Sequence, residues 1–383
     1  MTQYEQDVRS YFLPHSRLQS LLDALQGAGY SCIGPQVRDD AIVYDELIHA
    51  SQLPWGIRDH QSPGEYRLEH IPERKAFAFA NGPQAIKPIL FKPQETLWTV
   101  IRNEEGKLTF KSHQPDEKPV AVIGARSCDL AAMRIQDKVF VDSAKPDPRY
   151  TKRREQLFVI AVNCTYSSAN CFCVSAGTGP EVQDPYDILM TEVESGFVVR
   201  TGSAKGQNII GLLGLTAAKK AQCNLAKATV TQAGAMQTKR IPLDNKKGLR
   251  DLLFANLNHS RWEDVAERCL SCGNCTSVCP TCFCHSEIEK PELDGSGSEH
   301  QREWDSCFTR GHSVVNATVI RNDTQKQYRQ WLTHKVGSWF DQFGTSGCVG
   351  CGRCTTWCPV GIDITEELAA LTGESNVRIK KSD

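Results

Sequence analysis

Two short stretches of the sequence carry cysteines at the same intervals: Cys269, Cys272, Cys275 and Cys279 before Pro280, and Cys348, Cys351, Cys354 and Cys358 before Pro359. Both follow C-x2-C-x2-C-x3-C-P. Three thiolates on one tight loop can grip three irons of a cubane, while the fourth reaches across to a second cubane held mainly by the other loop. The spacing therefore assigns one [4Fe-4S] cluster to Cys269, Cys272, Cys275 and Cys358, and another to Cys348, Cys351, Cys354 and Cys279. Gly273 and Gly352 stand where the backbone must curl around inorganic sulfide, and a proline without an N–H suits the first turn of a helix opened by the fourth cysteine. Asp363 to Glu366 has capping-box spacing, which places a helix onset close behind Cys358. Two zinc sites of four thiolates each are the competing reading, but zinc ribbons pair C-x2-C units and need no triplet plus one.

A second constellation precedes these blocks: Cys128 in Ala125-Arg-Ser-Cys-Asp-Leu, Cys164 after Asn163, and Cys171-Phe-Cys173. In an extended stretch residues i and i+2 face the same side, so Cys171 and Cys173 can serve one centre together. Cys128 and Cys164 follow successive strand-like runs and can face them across a short gap. The expectation is a third [4Fe-4S] cluster; the alternative is four small buried thiols that merely pack. Arg126 beside Cys128 can raise a cluster potential or be an ordinary surface or ion-paired arginine.

The chain has 17 cysteines, an odd number that cannot be fully paired within one chain, and the clustering suits chelation better than a disulfide framework. Cys282-Phe-Cys284 repeats the Cys-Phe-Cys pattern directly behind the first block, and Cys307 lies further on. These three can bind a further centre, replace a member of the third site, or pack near the clusters. Cys32 and Cys223 are isolated and read as structural. The 10 histidines show no H-x3-H or H-E-x2-H spacing and read as solvent or core residues, although His285 and His312 lie near the blocks. The sequence contains no G-x-G-x-x-G, Walker P-loop or G-x-S-x-G, and Gly177 to Pro180 and Gly211 to Gly214 read as turns.

The elements that must position these cysteines divide near residue 250. Residues 1–250 carry the mixed pattern of an α/β domain. Leu18, Leu21, Leu22 and Leu25 have helical spacing and lead, past Gly27 and Gly29, to a strand from Ser31. Residues 51–69 read as loop, with Pro54, Gly56, Pro63 and Gly64 as breakers. Val120 to Ile123 and Leu157 to Val162 are strand-like, and the helical stretch from Asp129 between them makes a β-α-β unit with Cys128 at its strand-to-helix turn. Residues 251–383 read as an α-helical domain carrying the ferredoxin-like dicluster: helices over 249–257 and 262–266, a flexible insertion over 292–299, a helical region over 311–343, and a frayed tail over 376–383.

Composition narrows the partners. The 383 residues are 40% hydrophobic and 23% charged, and 44 basic against 45 acidic residues leave a net charge of −1, without the basic footprint that phosphate backbones demand. Nucleic acid is excluded on this ground. Apolar runs fall short of the roughly 20 residues that span a bilayer, and the polar start has no export-signal pattern, which points to the cytoplasm.

The ferredoxin pair, with residues 53–68 (LPWGIRDHQSPGEYRL), Gly124 to Leu130 (GARSCDL), Asn163-Cys164, Cys171-Phe-Cys173 and Gly177 to Pro180 (GTGP), resembles the beta subunit of cytosolic nickel–iron sulfhydrogenases and a related chain of anaerobic sulfite reductase. The likeness runs over nearly the whole chain. It departs at Ser127, where the family commonly has proline, and the family varies in the spacing between Cys164 and Cys171. The resemblance implies an iron–sulfur electron-transfer subunit lying between a flavin-containing NAD(P)H subunit and nickel–iron hydrogenase subunits, part of an oxidoreductase complex and not catalytic alone. Two other functions remain open: a subunit that itself reduces a sulfur compound at a cluster near Cys282, Cys284 and Cys307, and an iron–sulfur sensor or structural protein.

Overall fold

A computed structural model of the chain describes residues 10–84, 86–115, 118–241 and 246–373. The expected frayed tail and the polar start fall outside the described residues.

Four buried, β-branched-rich segments pair in parallel at the centre of an eight-stranded sheet: Ser31–Arg38, Val120–Ala125, Phe158–Val162 and Ile188–Val193. Antiparallel strands extend both edges, Ala41–Glu46 on one side and Gly196–Thr201, Tyr11–Pro14 and Thr216–Ala217 on the other. Both faces are covered, so alternate residues of one strand enter different cores. Ile160 and Val162 pack with Leu21, Leu22 and Leu25 of the helix Leu18–Gly27, whereas Val159 and Ala161 pack with Leu130 and Met133 of the helix Ser127–Phe140. The helix Ser127–Phe140 lies between two parallel neighbours, as the β-α-β reading requires. Its start and the loop after Phe158–Val162 stand at the carboxyl ends of adjacent parallel strands, the usual location of ligand-carrying loops in such sheets.

Three local expectations are corrected. Residues 51–69 are not loop throughout: Ile57–Ser62 and Glu65–His70 form a hairpin turning at Pro63-Gly64. Its strands carry few apolar residues because Asp59 and Gln61 are buried through hydrogen bonds, Asp59 accepting from the Ala80 N–H at 2.7 Å and Gln61 donating to the Asn81 carbonyl at 2.9 Å. The stretch 292–299 is not a flexible insertion. It holds the turn of a second hairpin, His285–Pro291 with Gly297–Trp304, which adds to the strands Gln94–Arg102 and Leu108–Ser112 in a four-stranded sheet. Helix over 311–343 begins only at Thr324, after a 3-10 turn and two short paired strands over 310–319. The region after residue 250 therefore mixes helices with strands, and one of its strands pairs with a strand from the N-terminal half.

That second sheet is tied by a buried charge network to the helix Pro148–Gln156, which packs on the first sheet. Glu95 receives Arg149 at 3.2 Å, Arg302 at 3.0 Å and Arg153, and Arg302 also pairs with Asp147, the N-cap of the helix Pro148–Gln156. Burial works against the Glu95 charge, but the three guanidinium groups outweigh it and hold the carboxyl below the usual range. Removing this carboxylate leaves three arginines, each less than a tenth exposed, without their common partner. Glu95→Ala is expected to cost about 3–5 kcal/mol, read as a lower denaturant midpoint; an unchanged midpoint refutes the network's role.

Candidate iron–sulfur sites

Each cysteine block is shaped by its flanking elements. The helix Arg261–Arg268 ends at Cys269, the chain reverses at Gly273 with φ +75°, and the four-residue helix Asn274–Ser277 carries Cys275. The second block repeats this with Gly352 at φ +75° and the helix Arg353–Thr356 carrying Cys354. Left-handed backbone at these positions favours glycine. Neither fourth cysteine opens a helix directly: Cys279-Pro280 enters a turn and then a strand, and Cys358-Pro359 enters a turn before the helix that starts at Ile364. Behind Cys358, Asp363 caps the helix Ile364–Thr372 by accepting from the Thr365 N–H at 2.9 Å.

The fold brings the two blocks together, with Cys358 of the second beside the thiols of the first. A small apolar cavity beneath Phe308 and Trp331 is lined by Cys269, Cys272, Cys275 and Cys358, and also by Cys354 of the second block. Burial, followed by the charges of Cys348, Cys351, Cys279 and Cys275, holds Cys354 well above the ordinary thiol range. Burial likewise raises Cys275, with Cys307, Cys269, Cys358 and Cys272 around it. Backbone N–H groups point at two of these sulfurs: Ser271 donates to Cys269 at 3.4 Å and Ile362 to Cys358 at 3.3 Å. Cys279 behaves differently. The hydrogen bond from Cys282 and the adjacent Lys335 ammonium, whose Nζ lies 3.1 Å from the sulfur, hold this thiol well below its ordinary value. Among the described residues no three His, Cys, Asp or Glu side chains gather closely enough to hold a single metal ion.

The third constellation is assembled from separate segments. Cys128 opens the helix Ser127–Phe140, Cys164 follows the strand Phe158–Val162, and Cys171 and Cys173 lie on the loop beyond. That loop is not extended, since Phe172 has ψ 28° and Cys173 begins a helical turn. The thiols act on one another nonetheless: Cys164 and Cys171 act on Cys173, and Cys128 is acted on by Cys351 of the second block and then by Cys173. Gln237 donates to Cys173 at 3.1 Å, and Ser168 lies 3.2 Å from Cys171. Gly179 passes so close that a Cβ there would sit 3.1 Å from the Cys173 sulfur. Asn163 pins the same loop, accepting from the Val182 N–H and donating to Thr191, both at 2.8 Å.

Arg126 is buried and, among the described residues, not ion-paired. It is 1% exposed and donates from one nitrogen to the Phe77 and Phe79 carbonyls, while Nε and Nη1 have no hydrogen-bond partner among the described residues. Its charge acts on Cys164. A buried guanidinium with unused donors beside four thiols fits an anionic group in their midst.

Several residues that sequence spacing did not single out join this constellation to the second block. Arg353, inside Cys351-Gly-Arg-Cys354, forms a fully buried ion pair with Asp129, next to Cys128, at 2.9 Å. Phe172 donates its N–H to the Gly350 carbonyl at 2.9 Å, Thr178 to the Val349 carbonyl at 2.7 Å, and Asn170 to Thr356 at 2.9 Å. The contact leaves no room for side chains: a Cβ on Gly352 would meet the Asn170 carbonyl at 2.3 Å. The hairpin from residues 57–70 props the other side, with Gly64 donating to the Thr355 carbonyl at 3.0 Å and Gln61 accepting from Thr356 at 2.7 Å. Adjacency to a cysteine was the available signal for Arg353 and Asp129; Lys335 and Gln237 had none. Cys32 packs in the sheet core as read, and Cys223 is half-buried, apart from all of these groups.

Comparison with known proteins agrees with this geometry. Residues 268–362 match the model of the 4Fe-4S dicluster domain. Over 281 residues, 72% of this chain and 79% of the relative's length, the sequence is 32% identical to sulfhydrogenase 2 subunit beta of Pyrococcus furiosus. The chain belongs to the sulfhydrogenase beta-subunit family. No solved structure matches it. As a family member with a 4Fe-4S dicluster domain, it is an iron–sulfur protein in which none of the described helices is long and apolar enough to cross a membrane.

Because Cys269 and Cys358 border one cavity, Cys269→Ser and Cys358→Ser are expected to abolish the same EPR signal of the reduced protein, leaving the signal of the Cys348 group. Loss of different signals in the two variants contradicts the exchange of fourth ligands.

Proposed function

We propose that this sulfhydrogenase beta-type chain is an electron-transfer subunit, relaying electrons between a flavin-containing NAD(P)H subunit and nickel–iron hydrogenase subunits in the cytoplasm. In this reading Cys269, Cys272, Cys275 and Cys358 hold one [4Fe-4S] cluster, Cys348, Cys351, Cys354 and Cys279 a second, and Cys128, Cys164, Cys171 and Cys173 a third. Residues 1–250 then form a unit with one cofactor and residues 251–383 a unit with two. Such clusters supply one-electron transfer at potentials set by charge, hydrogen bonding and exposure.

The observation that carries the reading is the direct contact between three cysteine groups, the first meeting the second by exchange of Cys279 and Cys358 and the second meeting the third along Gly350, Gly352 and Arg353. A single structural cluster has no use for such a series. The first group reaches the surface through exposed Cys272, while the second lies deeper, with Cys279 and Cys351 buried. The chain's own groups bias each position. Ser271 and Ile362 place N–H donors on the first group, Lys335 places a buried ammonium beside Cys279, and Arg126 places a guanidinium beside Cys164. Donors and cations of this kind favour the more negative, reduced state of what the thiolates hold.

Two outcomes test the reading. The isolated chain is expected to bind no flavin and to leave viologen dyes unreduced with NADH or NADPH, since the relay needs a separate flavin subunit; nicotinamide-dependent dye reduction by this chain alone refutes that. Cys128→Ser with Cys173→Ser in the full chain is expected to remove about four irons, with both ferredoxin-type signals retained. Unchanged iron content in that variant rules out the third cluster.

A further inference from the structure

Three cysteines and a histidine stand outside these assignments at the base of one hairpin. Cys282 and Cys284 directly precede the strand His285–Pro291, and Cys307 follows its partner strand Gly297–Trp304. The pairing of His285 with Trp304, continued by the Asp305 N–H donating to the Cys284 carbonyl at 2.9 Å, sets the two ends side by side. Cys284 is accordingly the thiol that acts most on Cys307, and burial together with that neighbour pushes Cys307 up to about 12.

The environment is built around these sulfurs. His312 has Nδ1 3.1 Å from an Asp305 carboxylate oxygen, and the ring also hydrogen-bonds with Cys284. The same Asp305 oxygen accepts from Ser286, and the other oxygen accepts from the Ser306 N–H at 2.7 Å. A carboxylate that orients an imidazole and leaves its second nitrogen toward a sulfur-lined site is the usual outer shell of a metal-ligating histidine. A cavity of about 300 Å³ opens beside Cys282 and Cys284. On its wall Lys87 is 5% exposed, stacks over the Trp304 ring at 3.5 Å and, among the described residues, donates to the carbonyls of Thr276 and Ser277. Its charge faces Cys282, Cys279 and Cys284. Such a cation is costly to bury unless an anion balances it.

We propose that Cys282, Cys284, Cys307 and His312 hold a further iron–sulfur centre, for which Lys87 is the buried counter-charge. Three thiols and an imidazole are ligands that iron–sulfur centres take, and the hairpin base sets them beside the ferredoxin-type blocks. Cys282 hydrogen-bonds with Cys279, and Cys307 is the thiol whose charge acts most on Cys275, so the centre lies beside both ferredoxin-type groups. The assignment is independent of the third group and of the direction of electron flow.

Native alkylation of the anaerobically purified full chain tests it without any substitution. Iodoacetamide is expected to modify half-buried Cys223, which belongs to no group, and to leave Cys282, Cys284 and Cys307 unmodified until iron is stripped by acid. Cys284→Ser with Cys307→Ser is expected to lose about four irons relative to the wild type, together with one reduced EPR signal, while the ferredoxin-type signals stay. His312→Cys should keep the iron and shift that same signal. Alkylation of Cys284 in the native protein as fast as Cys223, release of Cys284 and Cys307 by a thiol reductant instead of by iron removal, or unchanged iron in the double variant each overturns the proposal.

Discussion

The buried pair of Arg353 and Asp129 joins the two cysteine systems of this protein, and most of the surrounding architecture serves to make that contact possible. Each partner sits one or two residues from a cysteine, and neither has water to fall back on. A buried pair of this kind is weak evidence of net stability, yet loss of one partner strands a charge. It therefore acts as a register mark. The Cys351 loop and the start of the helix Ser127–Phe140 can meet in one alignment, and the glycines at 350 and 352 let the backbones close on it.

From that alignment the role of the N-terminal region follows. The parallel strands Val120–Ala125 and Phe158–Val162 end beside each other, so Cys128 and Cys164 emerge at one edge of the sheet. The loop with Cys171 and Cys173 is then held from both sides, by Asn163, Ser127 and Gln237 within its own region and by Val349, Gly350 and Thr356 in the ferredoxin block. The hairpin Ile57–Ser62 with Glu65–His70 gains its purpose here as well. Its polar strands are a poor core element but a good brace, because the Asp59 carbonyl accepts from Tyr166 on the Cys164–Cys171 loop and Gln61 accepts from Thr356 in the second cysteine block.

Charge is placed by the same logic. Thiolates that bind iron are anionic, and the buried cations Arg126, Lys335, Lys87 and Arg353 are each set near a different subset of sulfurs. Burial alone would drive these thiols toward the neutral form, as it does for Cys275 and Cys354. Nearby cations offset that cost, and they provide the chain with separate local means of setting the potential at each position.

The dicluster was legible in the sequence because its chemistry is local: three thiols on one curled loop require fixed intervals and glycine at the turn, so spacing alone identifies it. Part of the parallel core was legible for a similar reason, since Val120–Ala125 and Phe158–Val162 read as continuous apolar runs, whereas Ile188–Val193, which carries the buried Glu192, was not legible as a strand. The polar hairpins over 57–70 and 285–304 were not, because their residues are buried by hydrogen bonds and pairing with distant segments, which leaves no apolar alternation to read. The same holds for Arg353, Lys335 and Gln237, whose places depend on which loops meet. Residue type and interval determine what a segment can bind by itself; only tertiary contact decides which segments share a site, because burial and partnership of a charge are properties of the assembled fold.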